Sequence, residues 1–366
     1  MLFNPKRKLH QMEKLKYFLL VDPIKTIEGG SHNIDVNFFI ENLLNKEFIA
    51  FEKGFTLKEG KSKYKSINKV GTLFKLMLIA LINSIKAIKL AWHYDLTVFN
   101  PNDDPISLFV LQRIRNFTGS NFKIRSRFIC TRDRMLLEKN SIFINKLKRK
   151  ISNSLRYGDK ISAETQIYSE FLSREFGFRV EFVPYPPIDV RFIEVQIASQ
   201  SDLYVSLGAS RRDKGFETLS IWIKQISQRN PLAQFVIQEA NKKWHGYEKV
   251  IQGLSKLDNV KILPSYIDER SQYEILASAY AILAPYDQST YRYRGSAFTR
   301  RAMYQGKLIC VPLNTSMAQD AEMHNLLITP ESLVSNLDTA QARRDRHILG
   351  TNLQKEAIVI WRGFLQ

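Results

Sequence analysis

Two basic, glycine-containing loops carry the residues of this chain that are best suited to bind phosphate. The first follows an apolar run and has the sequence GASRRDKG over 208–215. Guanidinium groups form paired hydrogen bonds with phosphate oxygens, an ammonium adds a point charge, and glycine lets the backbone approach a ligand closely. We therefore expect Gly208, Arg211 and Lys214 to bind a diphosphate. The alternative is a solvated basic loop that caps the next helix.

The second loop ends in a residue that can cap a helix. Arg292 and Arg294 precede Ser296, whose hydroxyl can accept a hydrogen bond from an amide two or three residues further on. The amides of Ala297 and Phe298 then remain available to an anion, because the first amides of a helix have no partner within it. The pattern predicts a second phosphate contact here. The alternative is a capped surface helix with solvated arginines.

Repeated strand–helix units must position these loops. In the second half we predict strands at 203–207, 234–238, 260–263, 281–285 and 308–311, and helices at 215–228, 247–257, 269–279 and 296–305. In the first half we predict strands at 17–21, 48–51, 96–100, 128–131, 160–163 and 180–183, and helices at 33–44, 73–92, 106–116, 136–156 and 165–176. Such alternation is typical of a parallel α/β sheet, which binds ligands at the carboxyl ends of its strands.

A proline-rich segment, Pro184–Pro187, marks the predicted domain boundary, because proline fixes φ and removes a backbone donor. We predict doubly wound, Rossmann-like domains over 1–190 and 191–345, and a C-terminal helix over 346–366 that packs back on the body. The apolar face of that helix is predicted to contain Leu353, Ile358, Ile360 and Trp361.

The net charge of +18 is compatible with nucleic acid, an anionic membrane surface or small phosphorylated ligands. No nucleic-acid-binding motif or zinc-ligand spacing is present, which disfavours nucleic acid. The most apolar helix has an uncharged core of only LMLIALINSI, and a spanning helix needs roughly 20 apolar residues. We favour a core helix; the alternative is an amphipathic helix lying on a membrane. Cys130 and Cys310 are predicted to be packed thiols in a reducing compartment.

Together the two loops resemble the donor site of GT-B glycosyltransferases of family 4, the glycosyl transferases group 1. In that family a strand is followed by G-R-x-x-x-x-K-G or a close variant, and Gly208, Arg211 and Lys214-Gly215 are similar to the variant. Ala284–Ser296 follows a loop found in a subset, A-P-Y-x-x-S-x-Y-R-x-R-x-S. Arg301–Lys307 aligns with the end of the E-x7-E motif. The resemblance is specific in the second half and looser in the first.

This resemblance implies a GT-B fold, with an acceptor-binding first domain facing a nucleotide-sugar-binding second domain across a cleft. It implies transfer of a hexose-type sugar from a nucleoside-diphosphate sugar to a saccharide or lipid-linked acceptor, with retention, without metal and without a further cofactor. The implied diphosphate-binding residues are Gly208, Arg211, Lys214, Arg294, Ser296 and Ala297. The implied base and ribose contacts are Pro264, Tyr266, Tyr293 and Arg301, and the acceptor side has Gly29, Gly30 and Asn102.

His32 is the candidate catalytic residue, beside the Gly29-Gly30 loop; a capping or packing histidine is the alternative. Tyr293 and Arg301 stand where the family has its two glutamates, and a guanidinium cannot accept hydrogen bonds. A second hypothesis is therefore a GT-B protein without transfer activity that acts as a binding or regulatory partner. A third, based on charge alone, is binding to nucleic acid or another phosphopolymer. We expect a cytoplasmic protein of cell-envelope polysaccharide synthesis, peripheral to the inner face of the membrane.

Overall fold

The computed structural model describes residues 16–21, 24–25, 50–53, 57–58, 69–101, 103–130, 141–187, 202–208, 212–239, 248–264, 267–332 and 339–366. The chain divides into two compact units. The first contains residues up to Ala163 together with Ser169–Glu181 and Leu365. The second contains Glu164–Tyr168, Phe182–Phe364 and Gln366.

The first unit is built on a six-stranded sheet. The strands of this sheet are β1 (Lys16–Leu20), β3 (Ala50–Lys53), β5 (Asp95–Asn100), β6 (Lys123–Phe128), β7 (Lys160–Ala163) and β8 (Glu181–Phe182). A separate two-stranded sheet is formed by β2 (Ile24–Lys25) and β4 (Leu57–Lys58). The sheet order is β3-β1-β5-β6-β7-β8, and the pairs from β3 to β7 are parallel. The helices between these strands are Lys69–Ala91, Pro105–Thr118, Ile142–Ser152 and Gln166–Phe176.

Helix Pro105–Thr118 shows how local sequence determines an element. The Asp104 carboxylate accepts hydrogen bonds from the amides of Ile106 (2.9 Å) and Ser107 (3.0 Å). Proline occupies the first turn, where a missing N–H costs nothing, and Gly119 ends the helix with a φ of 66°. The helix predicted at 106–116 is confirmed, and these signals explain why it extends from Pro105 to Thr118.

The strand predicted at 128–131 is wrong, because β6 occupies Lys123–Phe128. Its sequence, KIRSRF, is polar, yet both arginines are buried. Arg125 donates to the Gly158 carbonyl, and burial lowers its pKa. Buried charge of this kind is rare in a strand. The strand was therefore predicted too late in the sequence, at the less polar residues that follow.

The second unit contains a fully parallel sheet with the order β11-β10-β9-β12-β13-β14. Its strands are β9 (Leu203–Ser206), β10 (Gln234–Gln238), β11 (Val260–Leu263), β12 (Ala281–Leu283), β13 (Leu308–Cys310) and β14 (Leu327–Ile328). Its helices are Phe216–Arg229, Glu248–Leu254, Glu269–Ser278, Gln288–Tyr291, Ala297–Tyr304, Ser316–Met323 and Ala340–Leu365. The strand order reverses direction between β9 and β12, which is the topological switch point where such sheets bind ligands.

The C-terminal helix begins at Ala340, six residues before the predicted start at 346. It is capped by Thr339, whose hydroxyl accepts a hydrogen bond from the Ala342 amide at 3.1 Å. It packs on the second unit as predicted, and Trp361 donates its indole N–H to the Pro184 carbonyl at 3.1 Å. The residues that form its buried face are Leu353, Ala357, Trp361 and Phe364. Ile358 and Ile360, which were predicted on that face, are only partly buried.

Several elements of the second unit have no counterpart in the prediction. Helices Gln288–Tyr291 and Ser316–Met323 and strand β14 are too short to show a clear period in the sequence. The thiols of Cys130 and Cys310 are buried, as predicted, and burial raises the pKa of Cys310. Among the described helices, none combines the length and the hydrophobicity needed to cross a membrane.

Candidate functional site

The loops after β9 and β12 meet at the carboxyl edge of the second sheet. Gly208 follows β9 with a φ of 106°, and its amide donates to the Gln238 side-chain oxygen at 2.6 Å. A Cβ added at Gly208 would lie 2.7 Å from the Lys214 Nζ atom. The φ of 106° is one that L-residues rarely adopt, so this position favours glycine, and the Lys214 ammonium lies directly over the backbone there.

Backbone contacts join the loop after β9 to the loop after β12. Gly215, with a φ of 63°, precedes helix Phe216–Arg229, and a Cβ added to it would lie 1.6 Å from the Pro285 carbonyl oxygen. The Asp287 amide also donates to the Asp213 carbonyl at 2.9 Å. Two segments that lie seventy or more positions apart in sequence are thus fixed relative to each other without relying on flexible side chains.

Charged and aromatic side chains link the same two loops. The Lys214 ammonium lies 5.4 Å from the ring centre of Tyr286, whose hydroxyl is 3.4 Å from the Ser296 hydroxyl. The Arg294 guanidinium is 3.9 Å from the Asp213 carboxylate and 5.4 Å from the Tyr291 ring centre. These contacts place two cations beside one helix N-terminus, an arrangement that attracts an anion.

Tyr291 and Asp213 are part of this arrangement. The Tyr291 hydroxyl donates to the Asp213 carboxylate at 3.5 Å. Burial raises the pKa of Tyr291, the neighbouring Tyr286 adds to the rise, and Lys214 and Arg294 oppose it. Tyr291 is therefore a neutral hydrogen-bond donor at physiological pH.

The helix after the second loop begins as predicted. The Ser296 hydroxyl accepts from the Thr299 amide at 3.5 Å and caps helix Ala297–Tyr304. The preceding loop is held by its backbone: the Ser316 hydroxyl donates to the Arg294 carbonyl at 2.7 Å, and the Gly295 amide donates to the Glu164 carboxylate at 3.0 Å. The cap leaves the first helical amides directed at the loop.

The structure therefore brings together five predicted diphosphate-binding residues, namely Gly208, Lys214, Arg294, Ser296 and Ala297. The contacts of the predicted base and ribose residues do not link them to one another in this way. Pro264 is exposed directly after β11. Tyr293 is buried with its ring 6.1 Å from that of Tyr168, and Arg301 is buried with its guanidinium 5.9 Å from the Tyr185 ring centre.

Six predicted site residues lie outside the described part of the chain: His32, Gly29, Gly30, Asn102, Arg211 and Tyr266. Near Asn102, the Asp103 carboxylate is buried after β5. It accepts from the Asn100 side-chain amide at 2.8 Å and the Asp104 amide at 2.9 Å, and from the Ser126 hydroxyl. Burial, and secondarily the negative charge of Asp104, raises the pKa of Asp103 well above its usual value of 3.8.

Sequence reasoning missed three residues that shape the site in the second unit. Asp213 is an acid inside a basic loop, which is a recognisable sign of local pairing. Gln238 ends a strand with a polar side chain, which is a weak signal. Glu164 carries no signal at all, because its partner Gly295 is 131 positions away. Among the described residues, no three His, Cys, Asp or Glu side chains form a group that would hold a metal ion.

Solved structures share this architecture over nearly the whole chain. The E. coli trehalose-6-phosphate synthase bound with UDP-2-fluoro glucose has a TM-score of 0.66 at 9% identity, covering 96% of this chain and 99% of its own. The lipopolysaccharide outer core galactosyltransferase WaaB has a TM-score of 0.64 at 14% identity, with coverages of 96% and 99%. The catalytic domain of starch synthase IV from Arabidopsis thaliana, bound to ADP and acarbose, has a TM-score of 0.59 at 11% identity, covering 96% of this chain and 100% of its own. The chain has the GT-B fold.

The predicted fold is thereby confirmed for this GT-B chain. No protein-family model matches the sequence, and no curated protein matches it significantly. At such low identity the structural likeness establishes the fold alone. Membership of family 4 and the roles of individual residues therefore stay predictions.

Proposed function

We propose that this GT-B protein is a glycosyltransferase that uses a nucleoside-diphosphate sugar as donor. The observation that carries the proposal is the convergence of Lys214, Arg294 and the Ser296-capped helix at the switch point of the second sheet. Lys214 lies against Tyr286, whose hydroxyl is near that of Ser296, and Arg294 lies near Asp213, all in the loops after the neighbouring strands β9 and β12. A diphosphate satisfies all of these groups together.

These residues suit a reaction in which a nucleoside diphosphate departs. Negative charge develops on the leaving phosphate as the bond to the sugar breaks, and cations with fixed backbone dipoles stabilise that charge. Lys214 is held by its contact with the Tyr286 ring, and Arg294 by Asp213, so both are positioned before the substrate binds. In this proposal Arg211 adds a further cation, and neither a metal nor a cofactor is needed.

The finer features of the proposal rest on the sequence resemblance. We assign retention of anomeric configuration, a saccharide or lipid-linked acceptor on the side of Gly29, Gly30 and Asn102, and His32 as the residue near the donor sugar. The base is assigned to the end of β11, beside Pro264 and Tyr266. The net charge of +18 supports work at an anionic membrane surface.

A GT-B binding protein without transfer activity is the second candidate. Arg301 favours it, because this buried side chain contacts Tyr185 and cannot accept hydrogen bonds from a ribose. The two candidates share nucleotide binding and differ in turnover.

The first experiment is a thermal-shift panel of UDP, GDP, ADP, CMP and common sugar nucleotides. We expect one nucleoside diphosphate to stabilise the protein selectively, by about 2.7 kcal/mol at a hundredfold excess over Kd. The Arg211→Ala/Lys214→Ala variant should lose the shift. Lys224→Ala, which removes an exposed lysine further along helix Phe216–Arg229, is the matched control and should retain it.

No shift with any nucleotide would contradict both candidates. A shift without release of the nucleoside diphosphate over a panel of acceptors would favour the binding protein. Affinity for unrelated DNA that falls steeply with salt, without any nucleotide shift, would favour the charge-based hypothesis of a phosphopolymer-binding protein.

A further inference from the structure

Three helices of the first unit form a layer that contains no acidic residue. Helix Lys69–Ala91 packs against Pro105–Thr118, which in turn packs against Ile142–Ser152. Their sequences contain no Asp or Glu. Their basic residues are Lys69, Lys75, Lys86, Lys89, Arg113, Arg115, Lys146, Lys148, Arg149 and Lys150. Arg115 is buried and paired with Asp159, and Lys148 is paired with Glu175, whereas Lys89, Arg113, Lys146, Arg149 and Lys150 are exposed. Solvent-facing helices ordinarily mix charges of both signs, so this set of exposed cations indicates an anionic partner.

The longest of these helices also presents an apolar stripe to solvent. Met77, Leu78, Leu81 and Ile85 are between 42% and 48% exposed, and the spacing of the last three places them on one helical face. Other residues of this helix, Ile79, Ala80 and Ala87, are buried within the unit. The helix is therefore apolar on two faces, of which only one is covered by the described residues of its own unit.

Exposed aromatic and aliphatic side chains continue this character on the rest of the layer. Trp92 follows the first helix and is 71% exposed. Phe117 lies in the last turn of the second helix and is 94% exposed, and Phe143 lies in the first turn of the third and is 67% exposed. Exposed cations accompany them, namely Arg113, Lys146, Arg149 and Lys150. A mixture of aliphatic, aromatic and basic side chains is typical of surfaces that lie in the interfacial region of a bilayer.

We propose that this helical layer docks the protein onto a bilayer containing anionic phospholipids. Lipid headgroups neutralise the cations, and the acyl boundary takes up the stripe formed by Met77, Leu78, Leu81 and Ile85. A second copy of this chain is a less suitable partner for this surface, because pairing the same face of two copies would bring like charges together. Nucleic acid would meet the cations but has no binding partner for an aliphatic stripe, since it stacks on aromatic rings. The docking does not depend on the proposed sugar transfer.

The experiment is flotation of the full chain with vesicles of phosphatidylglycerol and phosphatidylcholine, compared with phosphatidylcholine alone. We expect binding to the mixed vesicles, weakened by salt. Leu78→Gln/Leu81→Gln/Ile85→Gln should weaken it about 100-fold, because three half-exposed aliphatic side chains no longer enter the membrane. Ile221→Gln/Ile348→Gln/Val359→Gln removes three exposed aliphatic side chains of the second unit and should bind normally.

The basic residues are tested separately with Lys146→Gln/Arg149→Gln/Lys150→Gln. This variant should weaken binding about 100-fold, because each cation near an anionic surface contributes about 1 kcal/mol. Circular dichroism verifies that each variant is folded, and the nucleotide-induced thermal shift reports on the second unit independently. Absence of vesicle binding by the native chain would overturn the proposal. So would unchanged binding by the aliphatic variant, or loss of self-association as its only effect, since the stripe would then be a contact between copies.

Discussion

Replacing Gly215 by alanine tests whether the two loops of the site are held together by backbone packing. Gly215 has a φ of 63°, where an L-residue costs about 1–2 kcal/mol. The added Cβ would also lie 1.6 Å from the Pro285 carbonyl oxygen, far inside the 3.0 Å that real Cβ contacts respect. Either the helix or the Pro285 segment must therefore move by about 1 Å or more in a close-packed region.

Gly177→Ala is the matched control, because it isolates the cost of φ. Gly177 has a φ of 72° and no atom within 4 Å of an added Cβ. We expect Gly177→Ala to lower the free energy of unfolding by about 1–2 kcal/mol. Gly215→Ala should add the cost of overpacking and lower it by about 3–5 kcal/mol in total.

The assay is urea unfolding of each variant, followed by circular dichroism and by tryptophan fluorescence, to which Trp222 and Trp361 of the second unit contribute. Gly215→Ala should also lose nucleotide-induced stabilisation, since moving Pro285 separates Lys214 from Tyr286. Equal effects of the two substitutions on stability would refute the reasoning, because the packing against Pro285 would then contribute nothing.

Two further predictions concern buried charge in the first unit. Asp159→Ala should lower the free energy of unfolding by about 3–5 kcal/mol, because it leaves the buried Arg115 without its carboxylate partner. The two terminal nitrogens of Arg115 each lie 2.7 Å from the Asp159 carboxylate. A loss below about 1 kcal/mol in urea titration would contradict this prediction. Asp103→Asn should remove a pH dependence of stability. The folded pKa of Asp103 is raised by burial, so its stabilising contribution is complete below the ordinary value of 3.8 and is lost as the pH rises through the folded pKa. The loss amounts to about 1.4 kcal/mol for each pH unit that separates the folded pKa from the unfolded one. Urea unfolding at a series of pH values should show the native chain losing stability relative to the variant as the pH rises, and parallel curves would exclude the effect.

Much of the second sheet was predictable from sequence because its strands are short apolar runs between clear breaks. The strands at 234–238 and 260–263 have the predicted bounds, as does β7 in the first unit. Ser296 was predicted as a helix cap because its hydroxyl can accept from an amide two or three residues further on, and it is one. These features depend on residues a few positions apart, so the local sequence contains the necessary information.

Strand β6 shows where local pattern fails. Its two buried arginines are stabilised by partners that the chain reaches only after folding, such as the Gly158 carbonyl 33 positions away. A sequence pattern penalises such residues in a strand, because an unpaired buried charge is costly. The contacts that offset the cost of burying these charges are made by residues far away in sequence, so they are not visible in a short stretch of the chain.

The candidate site divides in the same way. The sequence by itself identified the chemical groups, because a cationic loop between glycines and a capped helix are local features. Only the tertiary structure decided that Gly208 lies beneath Lys214, that Gly215 contacts Pro285, and that Glu164 binds the loop at Gly295. The strand order, with β9 beside β12, brings these segments together. Sequence separation carries no information about such neighbours, since they are determined by the path of the whole chain through the sheet.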